Sequence, residues 1–360
     1  MPSSSRISPR SMILLAGLAL TLVAPTGCTT TKPRAKDQSA TEPQAIAQRD
    51  PVALSQLREQ ALDELVTAAS SEYAQERANA LEGLLYAPSR LQPIAAMALM
   101  DSNEGVRSIA AMVVGRARLA ELTPALRTLL HDQSPFVVAS AIYALDRNGA
   151  AVDPTPLGRF LFDSASMKVR AHAAYVLGEL GHASALPMLA DAARATSSSG
   201  SSVEHRLLEL QIAEAMIKLG DRTKLDSIRS ALLPASADEL EATALAAQII
   251  GTVGDRESAK VLIWLSAQQD QRGNAMPPEV LLSITGALAE LKVRGGSQMP
   301  DRFLTHANPA VRAQAAFVYG QIAQRENLSR LETLLDDESG LVRVAAATAT
   351  LRVLASSQNR

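Results

Sequence analysis

The side chains of this chain that are suited to chemistry are few and scattered. Five histidines stand at His131, His172, His182, His205 and His306. A helical zinc site needs two histidines one turn apart, and no histidine here has a partner four residues away. His131 and His306 fall near turns between helical segments, where capping is the role their positions predict. Cys28 is the single cysteine, so no disulfide forms within one chain. There is no Gly-x-Ser-x-Gly elbow and no phosphate-binding glycine loop. Carboxylates are plentiful, but paired acids on helix faces are ordinarily solvated charge, so no acid/base couple is assigned. The chemistry these residues predict is binding without catalysis, with no metal and no cofactor.

A more pointed signal is a column of large side chains, and a repeated helical phrase positions it. The phrase is clearest as VRSIAAMVVG (Val106–Gly115), VRAHAAYVLG (Val169–Gly178), VRAQAAFVYG (Val311–Gly320) and VRVAAATATL (Val342–Leu351). It comes round nine times at intervals of about 30 to 40 residues, which is the signature of a solenoid whose units bury their apolar faces only against neighbours. Counted at 100° per residue from Val106, the residues Val106, Ile109, Ala110, Val113 and Val114 share one face. A polar cap stands three residues before each valine: Asn103, Ser134, Ser166, Asn308 and Ser339. Pro135 and Pro309 follow two of these caps, at the first helical position, where a missing N–H costs nothing. A second helix follows in each unit, as at Thr123-Pro124 and Thr155-Pro156. The fold class is all-α: an α-solenoid of about nine helix pairs over residues 52–360, forming a rod or arc of roughly 70–90 Å at the usual spacing of packed helices.

These units resemble HEAT repeats, in particular the short bacterial form also found in phycobilisome lyases. The match is clear in four units and degenerate from about Leu207 to Lys292. The resemblance implies a ladder in which the arginine after the valine pairs with an acid before a helix. Arg107, Arg170, Arg312 and Arg343 would carry it, with Asp101 and Asp337 as acids, and Val138 breaks it in the third unit. The paired His-Glu motifs of metal-dependent HEAT-repeat hydroxylases are absent, since no histidine is followed by glutamate.

In HEAT arrays the valine-arginine helices line a concave surface. The sixth residue after the valine, where charge would be ordinary, reads Glu82, Met112, Tyr143, Tyr175, Glu214, Gln248, Gly286, Phe317 and Thr348. Three aromatics in nine places compare with about 0.3 at average usage in this chain. Either Met112, Tyr143 and Tyr175, with Phe317 further on, anchor a partner in a groove, or tight curvature packs them against the neighbouring helix. Trp264 reads as core by its spacing. Thr196–Ser202, Asp270–Pro278 and Arg294–Pro300 read as insertions between helices.

The N-terminus reads as an address. Arg6 and Arg10 precede the apolar run Met12–Ala24, which is too short for an ordinary membrane span, and Pro25-Thr26-Gly27-Cys28 follows. This resembles a bacterial lipoprotein signal, although Pro25 occupies a place where that family has an aliphatic residue. The resemblance implies a signal peptide over 1–27, diacylglyceryl modification of Cys28 and a location in the cell envelope. Thr29 in place of aspartate then favours the outer membrane. Residues 28–51 read as a flexible tether of roughly 25 Å root-mean-square reach.

The formal charge is -2, and Met1–Gly27 contributes two arginines and no acid, so its removal makes the remainder more acidic. That balance argues against a nucleic-acid partner, which requires a basic face. The reading is a monomeric, membrane-anchored scaffold or adaptor for a protein or peptide. The alternative is an enzyme or lyase-like subunit related to the phycobilisome lyases.

Overall fold

The structure is a computed structural model that describes residues 50–197, 202–234, 236–269, 273, 275–293 and 298–358. Cys28, the apolar run and all of the tether except Asp50 and Pro51 lie outside the described residues, as do residues 198–201, 270–272, 274 and 294–297 of the insertions. Within the described residues, Gln269 and Ala275 form an isolated antiparallel bridge across the second insertion.

The described residues contain 17 α-helices and no strand. In chain order they pair as α1 (Pro51–Ala68) with α2 (Ala74–Gly83), α3 (Pro88–Ala98) with α4 (Glu104–Ala117), and α5 (Thr123–Leu129) with α6 (Pro135–Arg147). Next come α7 (Thr155–Asp163) with α8 (Met167–Leu180), α9 (Leu186–Ser197) with α10 (Val203–Lys218), and α11 (Leu225–Ser230) with α12 (Leu240–Val253). The series ends with α13 (Ala259–Ser266) and α14 (Pro278–Glu290), then α15 (Pro309–Ile322), and α16 (Leu328–Leu335) with α17 (Gly340–Gln358). Before α15 the place of the first helix is taken by a single 3-10 turn, Pro300–Phe303, which buries Phe303.

The arrangement is an α-solenoid, but it is neither a rod nor an open arc. The inner helices α2, α4, α6, α8, α10, α12, α14, α15 and α17 each pack on the next, and α17 then packs against α1 and α2. The array closes into a ring. One apolar cluster contains both Leu57, Leu62 and Leu65 of α1 and Val342, Leu351 and Leu354 of α17. Arg343 Nε donates to Glu64 Oε1 across this seam at 2.9 Å.

Small residues set the curvature. A Cβ on Gly115 would lie 2.8 Å from the Cα of Ala144, one on Gly178 2.9 Å from that of Ala215, one on Gly251 2.8 Å from that of Ala287, and one on Gly320 3.0 Å from that of Ala349. The inner helices therefore approach backbone to backbone, whereas the outer layer holds leucines and keeps its helices apart. Each step then turns by about 40°, and nine steps complete the circle.

Local signals place the helix starts. Asn103 Oδ1 accepts from the amides of Gly105 and Val106, Ser166 Oγ from Val169, and Asn308 Oδ1 from Ala310. Ser134 departs from the expected capping: its hydroxyl makes no cap bond and is buried without a partner.

Candidate partner-binding site

The column that was to line a groove faces the ring axis and is covered. Met112, Tyr143, Tyr175 and Phe317 are 1%, 3%, 4% and 6% exposed. Closure is the cause. In a narrow ring, side chains aimed at the axis meet those of the helix two units away: Arg116 Nη2 donates to Tyr175 Oη at 2.5 Å, and Arg352 Nη2 to Glu290 Oε1 at 2.7 Å. The inner helices are buried on consecutive residues, Ser108–Gly115 in α4, Val137–Leu145 in α6 and Val280–Leu288 in α14. A helix covered on every side belongs to an interior, and the exposed strip inferred from these positions is corrected accordingly.

The axis is polar, and its charges are matched. Arg116 Nη1 lies 3.4 Å from Glu82 Oε1. Burial works against the Arg116 charge, but Tyr175, Glu82 and Glu179 outweigh it and hold the guanidinium above its ordinary pKa. Lys218 bridges Glu179 and Glu214, 2.9 Å from the latter, and sits 4.9 Å from the centre of the Tyr175 ring. Burial raises the Tyr143 pKa, with Arg116 opposing. The paired cations and carboxylates provide packing specificity and electrostatic order around Tyr143 and Tyr175.

Four of the five histidines make contacts within the fold. His172 lies between Phe136 and Tyr175, with ring centroids 5.4 and 6.1 Å away, and its Nε2 is 3.1 Å from Ser140 Oγ. Burial pushes its pKa down to about 4 against the opposing bond to the Phe136 backbone. His182 Nε2 is 3.1 Å from Asp146, and His205 Nδ1 is 2.7 Å from Ser202 Oγ. His306 Nδ1 accepts from the amide of Asn308 at 3.2 Å, the turn-capping role read from its position. Among the described residues, no group of three or more His, Cys, Asp or Glu side chains is placed to hold a metal ion.

The arginine ladder exists, and Asp101 and Asp337 belong to it, each pairing with the arginine of the preceding unit. Arg107 forks onto Asp132 at 2.8 and 3.0 Å and donates to the carbonyls of Asp101 and Ser102. Asp101 itself receives Arg77, at 2.8 Å on both oxygens. Arg312 forks onto Asp337 at 2.8 Å, and Arg343 reaches Glu64 across the seam. Arg170 donates to the carbonyl of Leu161 at 2.8 Å. Arg77, Asp132 and Glu64 were missed. The signal for Asp132 was available: Asp101, Asp132 and Asp337 each stand two residues before a cap and accept the cap residue's amide. Where Val138 replaces the arginine, Ser164 replaces that acid and keeps the turn bond to Ser166.

With the inner column covered, the large apolar side chains that remain exposed lie elsewhere on the molecule. Pro93 and Met97 on α3 and Met100 in the turn after it recur at helical spacing and all face solvent, Met97 at 63% and Met100 at 78% exposure. Tyr73 is exposed in the loop before α2, whose Ser71 and Glu72 carbonyls Arg77 ties to Asp101, next to Met100 in the chain. A second apolar pair lies on α13. Trp264 is 53% exposed next to exposed Ile263, which corrects its reading as core; Leu262 and Leu265 are the residues that face inward.

No family model and no curated protein matches the chain. Among solved structures, human deoxyhypusine hydroxylase in complex with glycerol is similar at 18% identity over 86% of this chain and 100% of that one, with a TM-score of 0.35. The CpcE–CpcF complex of phycocyanin lyase from Nostoc sp. PCC7120 gives 16% identity over 74% and 93%, with a TM-score of 0.36. Importin beta gives 14% identity over 83% of this chain and 49% of that one, with a TM-score of 0.35.

Proposed function

We propose that this ring is a membrane-anchored, noncatalytic adaptor of the bacterial cell envelope that binds a protein or peptide, with lipid-modified Cys28 as its anchor and residues 28–51 as its tether. The observation that carries the reading is the Pro93, Met97, Met100 and Tyr73 surface on α3 and the adjoining loop. Other outer helices turn polar residues outward, Arg127 and Thr128 on α5 and Asp191 and Arg194 on α9 among them. Methionines on an exposed helix face offer an adaptable apolar surface, and a neighbouring tyrosine adds a rigid anchor. The matched charges along the axis favour a structural use of the interior over a reactive one. The HEAT-like character of the units adds that each outer helix is a separate contact surface on a common frame.

The test is crosslinking of the native protein in its membrane, with mass analysis of its N-terminus. A diacylated Cys28 and crosslinks concentrated on α3 that disappear in a Tyr73→Ser, Met97→Ser, Met100→Ser variant are expected. Unchanged partners in that variant overturn the contact surface, and an unmodified N-terminus overturns the anchor.

A further inference from the structure

We propose that the outer face of α13 is a bilayer-contact surface that lays the rim of the ring against the membrane through Trp264 and Ile263. The helix presents Lys260, Ile263, Trp264 and Ala267 outward, at spacings of three, four and seven residues, while Leu262 and Leu265 are buried. The stripe combines an aliphatic side chain, an indole and an ammonium on one face. An indole has an apolar body and a polar N–H, and it partitions to the headgroup boundary; a lysine beside it reaches back to phosphates. Trp264 is the chain's one tryptophan, and the structure leaves it exposed.

The named charges near the stripe, five cations and four carboxylates, are nearly balanced, and an anionic lipid surface is favoured only because the carboxylates are engaged within the fold while most of the cations are not. The carboxylates Asp226, Asp255 and Glu257 all converge on Arg229. Asp221 accepts from Thr223 within its own turn. Arg222, Lys224, Arg256 and Lys260 make no ion pair among the described residues, and Arg222, Arg256 and Lys260 are exposed. Cations without an internal acid beside an apolar pair match phosphates over an acyl layer. A bilayer surface also matches a short helix whose apolar pair and lysine are all exposed on one side. The inference rests on the membrane tether of the preceding reading for local concentration, and on α13 alone for its chemistry.

Because Trp264 is the sole tryptophan, its emission reports contact at this stripe however the chain reaches a membrane. The experiment uses the full chain with Cys28→Ser, which cannot be acylated there, and phosphatidylethanolamine/phosphatidylglycerol vesicles with or without brominated acyl chains. A blue shift of the emission on vesicle addition, and loss of intensity to the brominated lipid, are expected. Both responses should shrink in an Ile263→Ser, Lys260→Glu variant and on raising salt. Unchanged emission at saturating vesicle overturns the contact, whether or not the chain sediments with the lipid. A Trp264 that shifts with a purified protein partner and not with vesicles also overturns it. The mass of the native N-terminus is read separately, so loss of the rim contact and loss of the anchor remain distinguishable.

Discussion

His172 gives the ring a pH dependence that its carboxylates do not share. In the unfolded chain its imidazole takes a proton near 6.5, and in the folded ring only near 4. Between those values the unfolded state binds more protons, so stability is fully present above 6.5 and falls as pH drops towards 4, by up to about 3 kcal/mol. Denaturant unfolding at pH 7 and pH 4.5 should show the loss, and His172→Asn should remove most of it. Asp101, Asp132 and Asp337 resist protonation because their bonds from arginines and turn amides outweigh the opposing cost of burial. Their stabilisation is present above about 3.8 and is lost only at lower pH. Asp132→Ala, which strands the partly buried Arg107, should cost about 2 kcal/mol, whereas Arg170→Ala, which loses one bond to a carbonyl, should cost under about 1 kcal/mol by the same unfolding measurement. The ladder's arginines were legible as a column in the chain. Two of its acids, Asp101 and Asp337, were legible as well; Asp132 carried the same signal two residues before a cap, whereas Glu64 reaches Arg343 only once the ring closes.

At the scale of the helices, close approach is the requirement that a substitution can test. Gly115→Val places branched carbons against the backbone of Ala144, and Gly251→Val does the same at Ala287. Each should destabilise by about 2–4 kcal/mol or prevent closure, as read by thermal unfolding and by the hydrodynamic radius. The ends of the inner helices give the opposite sign. Twelve residues after the valine position, which is Ala242 in the unit of Gly254, Gly181 and Gly254 hold positive φ angles of 79° and 73°, while Arg118 and Ala323 hold 53° in the same place. Arg118→Gly and Ala323→Gly should each stabilise by about 1 kcal/mol, checked by the shift in unfolding midpoint. The starts of α4, α8 and α15 were readable from Asn103, Ser166 and Asn308, because a cap acts on amides two or three residues away. Which face of α6 is covered was not readable from Val137 and Ile142 alone, since Tyr143 is buried against Gly115 of the neighbouring unit.

For the molecule as a whole, closure replaces two free ends with a seam. In an open solenoid the terminal units fray first; in this ring α1 and α17 share one core and the Arg343–Glu64 bond. Native-state hydrogen exchange should therefore find amides in α1 and α17 protected about as well as those in α8. Deleting α17 should destabilise the entire array, not one end of it. Composition, period, caps and the valine face were enough to determine helix pairs stacked in series, since each depends on residues within one unit or the next. Whether the stack stays open or closes depends on a small angle repeated nine times, set by the contact of Gly115, Gly178, Gly251 and Gly320 with neighbouring backbones. Only the tertiary structure sums that angle. The sum turned a candidate groove containing Tyr143 and Tyr175 into a filled axis and left the outer faces of α3 and α13 as the apolar surfaces open to partners.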